Sequence, residues 1–391
     1  MKKILSIILT IVLVLGIAGC GSSSDTTGTR TTKEAGVEAG TAAETSSETE
    51  NETAVGETKV IVDHDGREVE IPAQINRIVV GTWPIAAQLS VYLGSAEKIV
   101  GVSPAAMAAA ENGILGEIYP EFLRASTKFY EGENINVEEL LLLNPDIVIG
   151  VSGEAADSLR EAGIPVVGVS VSKWNYDVVT TTGEWLKLFD QIFGENKMAA
   201  DVQAYTEQVQ ADIAARVSGL SEEERKKVML LFTYSDATMT TSGKVFFGQS
   251  WCDHTGAINV GEGIETPGSA SINMEQVYEW NPDVILITNF TRAQPEDLYN
   301  NAIGNDDWST VSAVKNKQVY KMPLGWYRSY TPGVDTAITL QWVAKSVYPE
   351  LFEDIDIEQV TREYFGNYFS IELTDEQLEK MFNPPREASA Y

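Results

Sequence analysis

Aromatic and polar side chains follow several apolar, strand-like runs of the sequence. These residues are Trp83, Tyr130, Ser152, Tyr234, Trp326, Tyr327 and Arg328. In open α/β sheets, ligands bind at the edge formed by the carboxyl ends of the strands. Aromatic faces provide large rigid contacts, and a guanidinium can fork onto a carboxylate, a catecholate oxygen or an oxyanion. Core packing is the alternative for any single tryptophan, but the set, drawn from both halves of the chain, predicts a ligand-binding cleft.

No arrangement of residues typical of an enzyme or of a protein-bound metal stands out. Residues 248–252, GQSWC, lack the final glycine of a nucleophile elbow, and residues 242–245, SGKV, lack the spacing and hydroxyl of a phosphate loop. The chain has two histidines, too few for a multi-histidine metal cage. Cys252, Asp253 and His254 are adjacent on a predicted helix and therefore face different directions. We expect no catalytic residue, no metal-ligand set and no cofactor.

One sequence unit occurs twice, once in each half of the chain. Residues 136–150 read NVEELLLLNPDIVIG and residues 273–287 read NMEQVYEWNPDVILI. Each copy predicts a short amphipathic helix, an Asn-Pro-Asp turn at which proline ends the helix, and a buried apolar strand. A single copy would be a common connection between helix and strand. Two copies with a glutamate at the same offset, Glu138 and Glu275, indicate two similar lobes.

The alternation of strand, turn and helix around these units predicts an α/β fold. We expect two similar α/β lobes with central sheets, joined by one long interlobe helix. The N-terminal lobe is predicted over residues 59–172, a helical connector over 173–224, and the C-terminal lobe with terminal helices over 225–391. Residues 195–220 contain no glycine or proline before Gly219, so this stretch predicts a stiff connecting helix.

The first residues have the layout of an export signal. A basic start, an apolar run over residues 4–17 and small residues before Cys20 predict a signal peptide over residues 1–19. The sequence IAGC resembles the bacterial lipobox, which predicts that Cys20 is lipidated. Residues 20–58 are rich in Ser, Thr, Gly, Ala and Glu and contain no aromatic residue, which predicts a flexible tether. We expect a lipid-anchored protein on the extracytoplasmic face of the cell membrane.

Composition excludes several classes of function. The chain has 391 residues and is 43% hydrophobic, enough for two well-packed domains. It has 28 basic and 57 acidic residues, a net charge of −29. Such a charge repels nucleic acid and anionic lipid surfaces, so we expect no nucleic-acid partner and no membrane contact beyond the anchor.

Together these features resemble the substrate-binding lipoproteins of ABC importers for iron complexes, haem and cobalamin. The resemblance rests on the signal and lipobox, both copies of the repeated unit, TSGKVFFGQSW at 241–251 and PLGWYRSYTPG at 323–333. It implies a class III periplasmic-binding-protein fold that binds its ligand between the lobes and closes only slightly. It also implies three partners, namely an ABC permease, the permease's ATPase and a small-molecule metal complex. We expect a monomer.

The resemblance assigns a role to the two glutamates of the repeat. In the cobalamin-binding relative, the acid in each Asn-x-Glu segment docks onto an arginine of the permease, and the matching residues here are Glu138 and Glu275. Glutamates in a first helical turn also favour the positive end of the helix dipole, and both roles can hold together.

The ligand class follows from the candidate cleft residues. Cobalamin binders similar to this chain carry a tryptophan shortly before each glutamate, where this sequence has TPGSASIN and FYEGENIN. Tyr130, Tyr234, Trp326 and Arg328 suit an anionic, partly aromatic complex. The predicted function is capture of a siderophore-type iron complex and its delivery to an ABC permease. The alternatives are the same role for molybdate, tungstate or a corrinoid, haem or nickel complex, and, from another class, an extracytoplasmic lipoprotein hydrolase.

Overall fold

The computed structural model describes residues 57–389. The predicted signal peptide, Cys20 and the predicted tether up to residue 56 lie outside the described residues. Among the helices described, none is both long enough and apolar enough to cross a membrane.

The N-terminal lobe is built on a parallel sheet. Its elements in chain order are β1 (Thr58–Val62), β2 (Glu68–Pro72), β3 (Ile78–Val80), α1 (Ile85–Leu93), β4 (Ile99–Gly101), α2 (Pro104–Asn112), α3 (Leu115–Ile118), β5 (Tyr130–Glu131), β6 (Asn134–Ile135), α4 (Val137–Leu141), β7 (Ile147–Ile149), α5 (Gly153–Glu161) and β8 (Val166–Val167). The sheet has the order β4–β3–β7–β8, with all pairs parallel. Strands β3 and β7 are wholly apolar and buried, as expected for a parallel sheet covered on both faces.

Two helices connect the lobes, α6 (Val178–Phe193) and α7 (Lys197–Val217). The side chain of Asn196, the N-cap of α7, donates to the carbonyl of Tyr92 in the N-terminal lobe at 3.2 Å. Near the other end of α7, Nη1 of Arg216 donates to the carbonyl of Leu351 in the C-terminal lobe at 3.0 Å. With 21 residues, α7 is about 31 Å long. It is therefore the predicted long helix between the lobes.

The C-terminal lobe contains a larger, mixed sheet. Its elements are β9 (Lys227–Tyr234), β10 (Met239–Ser242), α8 (Phe247–Thr255), β11 (Ile258–Asn259), β12 (Ser269–Ser271), α9 (Met274–Trp280), β13 (Val284–Ile287), α10 (Pro295–Tyr299), α11 (Ser312–Lys315), β14 (Val319–Lys321), α12 (Thr336–Val347), α13 (Ile357–Phe369) and α14 (Asp375–Phe382). The sheet order is β12–β10–β9–β13–β14, with β11 also paired to β9. Strand β10 is antiparallel to both neighbours, whereas β9, β13 and β14 are parallel.

Each copy of the repeated unit has one asparagine that caps the start of its helix and another in the turn that follows the helix. The side chains of Asn136 and Asn273 accept a hydrogen bond from a backbone N–H of the first turn and so cap α4 and α9. Asn144 and Asn281 have φ of 45° and 43°. Asparagine tolerates this left-handed conformation better than most residues, which explains its place before the proline.

The aspartate of each Asn-Pro-Asp turn holds the start of the neighbouring strand. Oδ2 of Asp146 accepts from the backbone N–H groups of Asn76 and Arg77, at 2.7 and 2.9 Å, just before β3. Oδ2 of Asp283 accepts from the backbone N–H of Lys227, at 2.9 Å, where β9 begins. The repeated motif therefore organises the sheet of each lobe in the same way.

Candidate functional site

An apolar pocket of about 340 Å³ lies between the lobes. We call it the aromatic pocket, because eight of the side chains that line it are aromatic. Its lining consists of Gly81, Thr82, Trp83, Pro84, Val171, Tyr176, Trp185, Phe232, Phe246, Phe247, Phe290, Tyr330 and Thr331. The N-terminal lobe, the connector and the C-terminal lobe all contribute to it. Among these described residues, none has a charged side chain.

The N-terminal side of the aromatic pocket is the turn that follows β3. At Gly81 a Cβ would lie 2.6 Å from Cγ2 of Val151, so this close approach requires glycine. Oγ1 of Thr82 donates to the carbonyl of Gly150 at 2.8 Å, which joins the carboxyl ends of β3 and β7. Trp83 then projects toward the other lobe, where its ring centre lies 5.6 Å from that of Phe290. Its side chain remains 44% exposed and therefore open to a ligand.

The C-terminal side is a cluster of phenylalanines. Phe232 on β9 stacks on Phe290, which follows β13, with ring centres 4.9 Å apart and planes at 22°. Phe246 and Phe247 form the start of α8, and Phe246 lies 5.3 Å from Phe232. Such offset and edge contacts hold the rings rigidly, so the pocket wall is preformed.

Tyr330 closes the inner end of the aromatic pocket. Its hydroxyl donates to Oγ of Ser242 at 3.0 Å and accepts from the backbone N–H of Gly248 at 3.1 Å. Complete burial raises the pKa of Tyr330 far above its ordinary range, so the phenol is neutral. The hydroxyl of Tyr330 thus forms its hydrogen bonds within the protein, and the side chain contributes its ring to the cavity.

A second, more polar cavity of about 1050 Å³ adjoins the aromatic pocket on the N-terminal lobe. We call it the outer groove, and it shares Gly81 and Trp83 with the aromatic pocket. It is lined by Gly81, Trp83, Ser103, Pro104, Ala105, Tyr130, Gly132, Glu133, Asn134, Ile135, Gly150, Val151, Ser152, Glu154 and Ala155. The two cavities together offer an apolar inner part and a polar outer part to a ligand.

The structure brings three of the seven predicted ligand-binding residues together. Trp83, Tyr130 and Ser152 all line the outer groove. The hydroxyl of Tyr130 donates to the carbonyl of Gly81 at 2.7 Å, and burial raises its pKa to about 12. Ser152 is exposed at the rim, directly before α5.

Tyr234 does not lie with them, which corrects the sequence-based expectation. Its ring is 4% exposed and packs in the core of the C-terminal lobe. Its hydroxyl accepts from Nε1 of Trp308 at 2.9 Å and donates to Oδ2 of Asp306 at 3.0 Å. Tyr234 packs in a different core cluster from Phe232, two residues earlier on β9, because the pairing of β9 with β10 shifts its register at a bulge between Leu231 and Thr233.

Trp326 and Tyr327 also face the protein interior rather than the pocket. They are 2% and 4% exposed. The loop that carries them folds over the buried carboxylate of Asp335, whose Oδ2 accepts from the backbone N–H of Trp326 at 3.1 Å. Gly325 has φ of 56°, and a Cβ there would lie 2.0 Å from the same oxygen. The predicted aromatic loop is therefore mostly core, and only Tyr330 and Thr331 of this loop reach the aromatic pocket.

Arg328 lies behind the pocket wall. It is fully buried, and its guanidinium carbon lies 4.9 Å from the ring centre of Phe290 and 5.6 Å from that of Tyr327. A cation over an aromatic face is attracted by the ring quadrupole. Phe290 thus stands between Arg328 and the cavity, so the predicted fork onto a ligand oxygen is not the arrangement in this structure.

Several pocket residues were not predicted, namely Tyr176, Trp185, Phe232, Phe246, Phe247, Phe290 and Tyr330. Phe290 follows the end of β13 within three residues. The search for aromatic residues after the carboxyl ends of strands, which identified Trp83, would therefore have identified Phe290 as well. Phe246, Phe247 and Tyr330 belong to segments already singled out by their resemblance to a known family.

Glu138 and Glu275 occupy equivalent positions in the two lobes. Each is the second residue of its helix, α4 or α9, directly after the capping asparagine and the first helical residue. Both side chains are exposed. Within residues 57–389, neither carboxylate takes part in an ion pair. Two exposed acids therefore stand at matching positions of the two lobes.

No group of three or more His, Cys, Asp or Glu side chains is placed to hold a metal ion among the residues that the structure describes.

Comparisons with known proteins place the chain in a family. A family model described as "Periplasmic binding protein" matches residues 78–324. The molybdate-binding protein MolA of Haemophilus influenzae is 25% identical over 338 residues, which cover 80% of this chain and 91% of that protein. The iron-uptake system-binding protein of Bacillus subtilis is 22% identical over 332 residues, covering 82% and 90%.

A solved structure supports the same assignment. A periplasmic solute binding protein from Veillonella parvula superposes with a TM-score of 0.73 at 27% identity, covering 84% of this chain and 97% of that one. The expected two-lobed α/β fold is thereby confirmed. The chain belongs to the periplasmic binding protein family, the substrate-binding proteins of ABC importers, as its resemblance implied.

Proposed function

We propose that this protein captures a siderophore-type iron complex between its lobes and delivers it to an ABC permease. The observation that carries the proposal is the aromatic pocket, with eight aromatic side chains around about 340 Å³. Flat aromatic faces contact catechol or other aryl groups of a chelator over a large area. The outer groove then accommodates the polar remainder of the complex. Trp83, Tyr130 and Ser152 are the proposed contacts there.

The lining favours a metal that arrives inside an organic shell. A bare cation or oxyanion loses strong hydration when it enters a cavity, and only charged or strongly polar partners compensate for that loss. The side chains described around the aromatic pocket are uncharged, and the nearby Arg328 is screened by Phe290. The aryl and other apolar groups of a chelate instead exchange water for aromatic contact, which is favourable.

Molybdate or tungstate is the second candidate ligand. The observation in its favour is the 25% identity to the molybdate-binding protein of Haemophilus influenzae. Such an oxyanion would have to bind in the outer groove, where Ser103, Asn134 and Ser152 offer neutral polar groups, whereas the charged side chains of its lining, Glu133 and Glu154, are acidic and repel it. Corrinoid, haem and nickel complexes are further alternatives to the siderophore complex.

The hydrolase alternative is not supported by the cluster of Ser250, His254 and Asp177. In a catalytic triad, histidine lies between the serine and the aspartate. Here Oγ of Ser250 and Nε2 of His254 both contact Oδ2 of Asp177, at 3.1 and 2.7 Å. Nδ1 of His254 faces Gln210 at 2.9 Å. The aspartate is central, so no base activates Ser250, and we propose binding without turnover.

The proposal includes the anchor and the docking surface. Cys20 is the proposed lipid attachment, the chain between Cys20 and β1 the proposed tether, and Glu138 and Glu275 the proposed acids that contact the permease. We further propose that the protein acts as a monomer at the extracytoplasmic face of the membrane.

Analysis of the co-purified ligand tests the proposal. The protein is expressed with its own signal in iron-limited cells, released from the membrane, and examined by elemental analysis and mass spectrometry. We expect iron together with an organic chelator in equal molar amounts, and a lower iron content in the Phe290→Ala variant. Molybdenum or tungsten without a chelator would show that the ligand is the second candidate, molybdate or tungstate, and not an iron complex. Turnover of ester or glycoside substrates would contradict the binding role.

A further inference from the structure

Few polar side-chain atoms in the lining of the aromatic pocket lack a hydrogen-bond partner within the described protein. Within residues 57–389, four of the lining side chains already form hydrogen bonds to protein atoms: Thr82, Trp185, Tyr330 and Thr331. In that part of the chain, the remaining polar atoms of the lining side chains are the indole nitrogen of Trp83 and the hydroxyl of Tyr176. Neither has a hydrogen-bond partner among the described residues. A buried apolar site usually fixes its ligand through a few such groups.

Tyr176 is held in contact with several parts of the fold. It is half-buried and lies in the connector, directly before α6. Its ring stands edge-on to Phe246 and Phe247 of the C-terminal lobe, with centres 5.7 and 5.4 Å away. Its backbone N–H donates to the carbonyl of Val171, after the last strand of the N-terminal sheet, at 3.1 Å. A ligand bound to Tyr176 would therefore be linked to both lobes.

The backbone at this point is unusual. Asn175 and Tyr176 have φ of 51° and 59°, two successive left-handed residues, neither of which is glycine. Bulky residues rarely adopt this conformation, and such strained positions are concentrated at ligand sites. Asp177 fixes the segment, because its carboxylate caps α6 through the N–H of Thr180 at 2.8 Å and contacts His254 at 2.7 Å.

We propose that Tyr176 orients the ligand by donating a hydrogen bond from its hydroxyl to an anionic oxygen of the chelate. This inference rests on the proposed function, and it names the recognised group as a catecholate, hydroxamate or carboxylate oxygen. The surrounding rings bind apolar surface without regard to rotation, whereas one directed hydrogen bond in an apolar cavity favours a single orientation. Tyr176 is thus a specificity-determining residue.

Tyr176→Phe tests the proposal, because it removes the hydroxyl and keeps the ring. Binding is measured by calorimetry with four probes: ferric 2,3-dihydroxybenzoate, haemin, cyanocobalamin and sodium molybdate. We expect wild type to bind ferric dihydroxybenzoate, and Y176F to bind it roughly ten- to a hundredfold more weakly. The melting temperature of the ligand-free variant should equal that of wild type, since the hydroxyl has no protein partner within residues 57–389. Tyr278→Phe, an exposed tyrosine outside the pocket, is the matched control and should bind normally.

The outcomes separate the two proposals. Equal affinity of Y176F and wild type for a bound probe would overturn the role of Tyr176 and leave the importer function intact. Weaker binding together with a lower melting temperature of the ligand-free variant would make the effect structural and overturn the inference as well. If wild type binds only molybdate, the chelate and the named oxygen are both wrong. If it binds none of the probes, both proposals are contradicted.

Discussion

Nε2 of His254 lies 2.7 Å from Oδ2 of Asp177, which ties helix α8 of the C-terminal lobe to the start of the connector helix α6. Oγ of Ser250 donates to the same oxygen at 3.1 Å. Although burial alone would raise it, the hydrogen bonds from His254 and Thr180 hold the pKa of Asp177 well below its usual range. The ionised carboxylate is therefore part of the native junction between the lobes.

Replacing this carboxylate should weaken the fold in a pH-dependent way. Because folding lowers the pKa of Asp177, its stabilisation is present above the ordinary value of 3.8 and is lost as the pH falls through and below that value. At pH 7 we expect Asp177→Asn to reduce the free energy of unfolding by about 1.5–3 kcal/mol, the contribution of hydrogen bonds to a charged group. The measurement is urea unfolding at a series of pH values.

The control for this experiment is Asp201→Asn, because Asp201 forms a surface pair with Lys197. Exposed pairs contribute about 0–1 kcal/mol, so this variant should remain close to wild type. Equal stability of Asp177→Asn and wild type at pH 7 would show that the junction does not depend on the charge.

Trp83 and Trp326 should respond differently to a ligand. Trp83 lines both cavities and is 44% exposed, whereas Trp326 is 2% exposed and packs against Tyr119 and Phe365. We expect Trp83→Phe to reduce the ligand-induced fluorescence change, with Trp185 of the aromatic pocket as the source of the remainder, and to weaken binding by about 1 kcal/mol, the value of an aromatic contact. Trp326→Phe should retain the full fluorescence change. Fluorescence quenching that persists in Trp83→Phe and disappears in Trp326→Phe would show that Trp326, rather than Trp83, responds to the ligand.

The repeated unit was predictable because its signals are local. Proline ends a helix wherever it occurs, asparagine caps helices and tolerates the left-handed region, and a wholly apolar strand indicates a sheet covered on both faces. These rules located α4, β7, α9 and β13 from sequence alone. What they did not predict is the long-range bond from each aspartate to the neighbouring strand, since the partner is about 55–70 residues away in the sequence.

The candidate site was predictable only in part, for a related reason. The expectation that ligands bind at the carboxyl ends of strands needs only the order of strands and helices in the sequence. It identified Trp83, Tyr130 and Ser152. Whether an aromatic residue in a loop faces a cleft or a core depends on how that loop folds back. In PLGWYRSYTPG the loop folds over Asp335, which turns Trp326 inward and leaves Tyr330 facing the pocket. Phe232 lies within a strand, so its role depends on which sheet face meets the other lobe.

The paired acids should be needed for delivery and not for capture. Glu138 and Glu275 are exposed and lie on α4 and α9, outside both cavities. We expect the double replacement by alanine to reduce ligand uptake by whole cells on the order of tenfold or more, because removing charge partners at an interface costs several kcal/mol. Ligand affinity of the purified variant should be unchanged.

The matched control replaces Glu139 and Glu279 by alanine, since both are exposed neighbours on the same two helices. This variant loses the same charge and should transport normally. Normal uptake by the Glu138 and Glu275 variant, or an equal loss in the control, would show that the positions of the two acids are not specific for docking.

Asp335 should make the protein less stable as the pH rises through the weakly acidic range. The residue is 4% exposed, and burial raises its pKa to about 6 from an ordinary value of 3.8, despite hydrogen bonds from Trp326 and Ser329. The native state therefore holds this proton more tightly than the unfolded state. Its favourable contribution is complete below pH 3.8 and is lost by about pH 6. The shift corresponds to about 3 kcal/mol.

Asp335→Asn removes the ionisable group while it keeps a carbonyl oxygen that can accept from the N–H of Trp326. Between pH 4 and pH 7, we expect the free energy of unfolding of this variant to rise by about 2.5 kcal/mol relative to wild type. Urea unfolding at each pH measures the difference, with Asp201→Asn again as the control that should stay parallel to wild type. A constant difference across this range would mean that Asp335 stays ionised in the folded protein, and that the loop over it supplies enough hydrogen bonds to offset the burial of its charge.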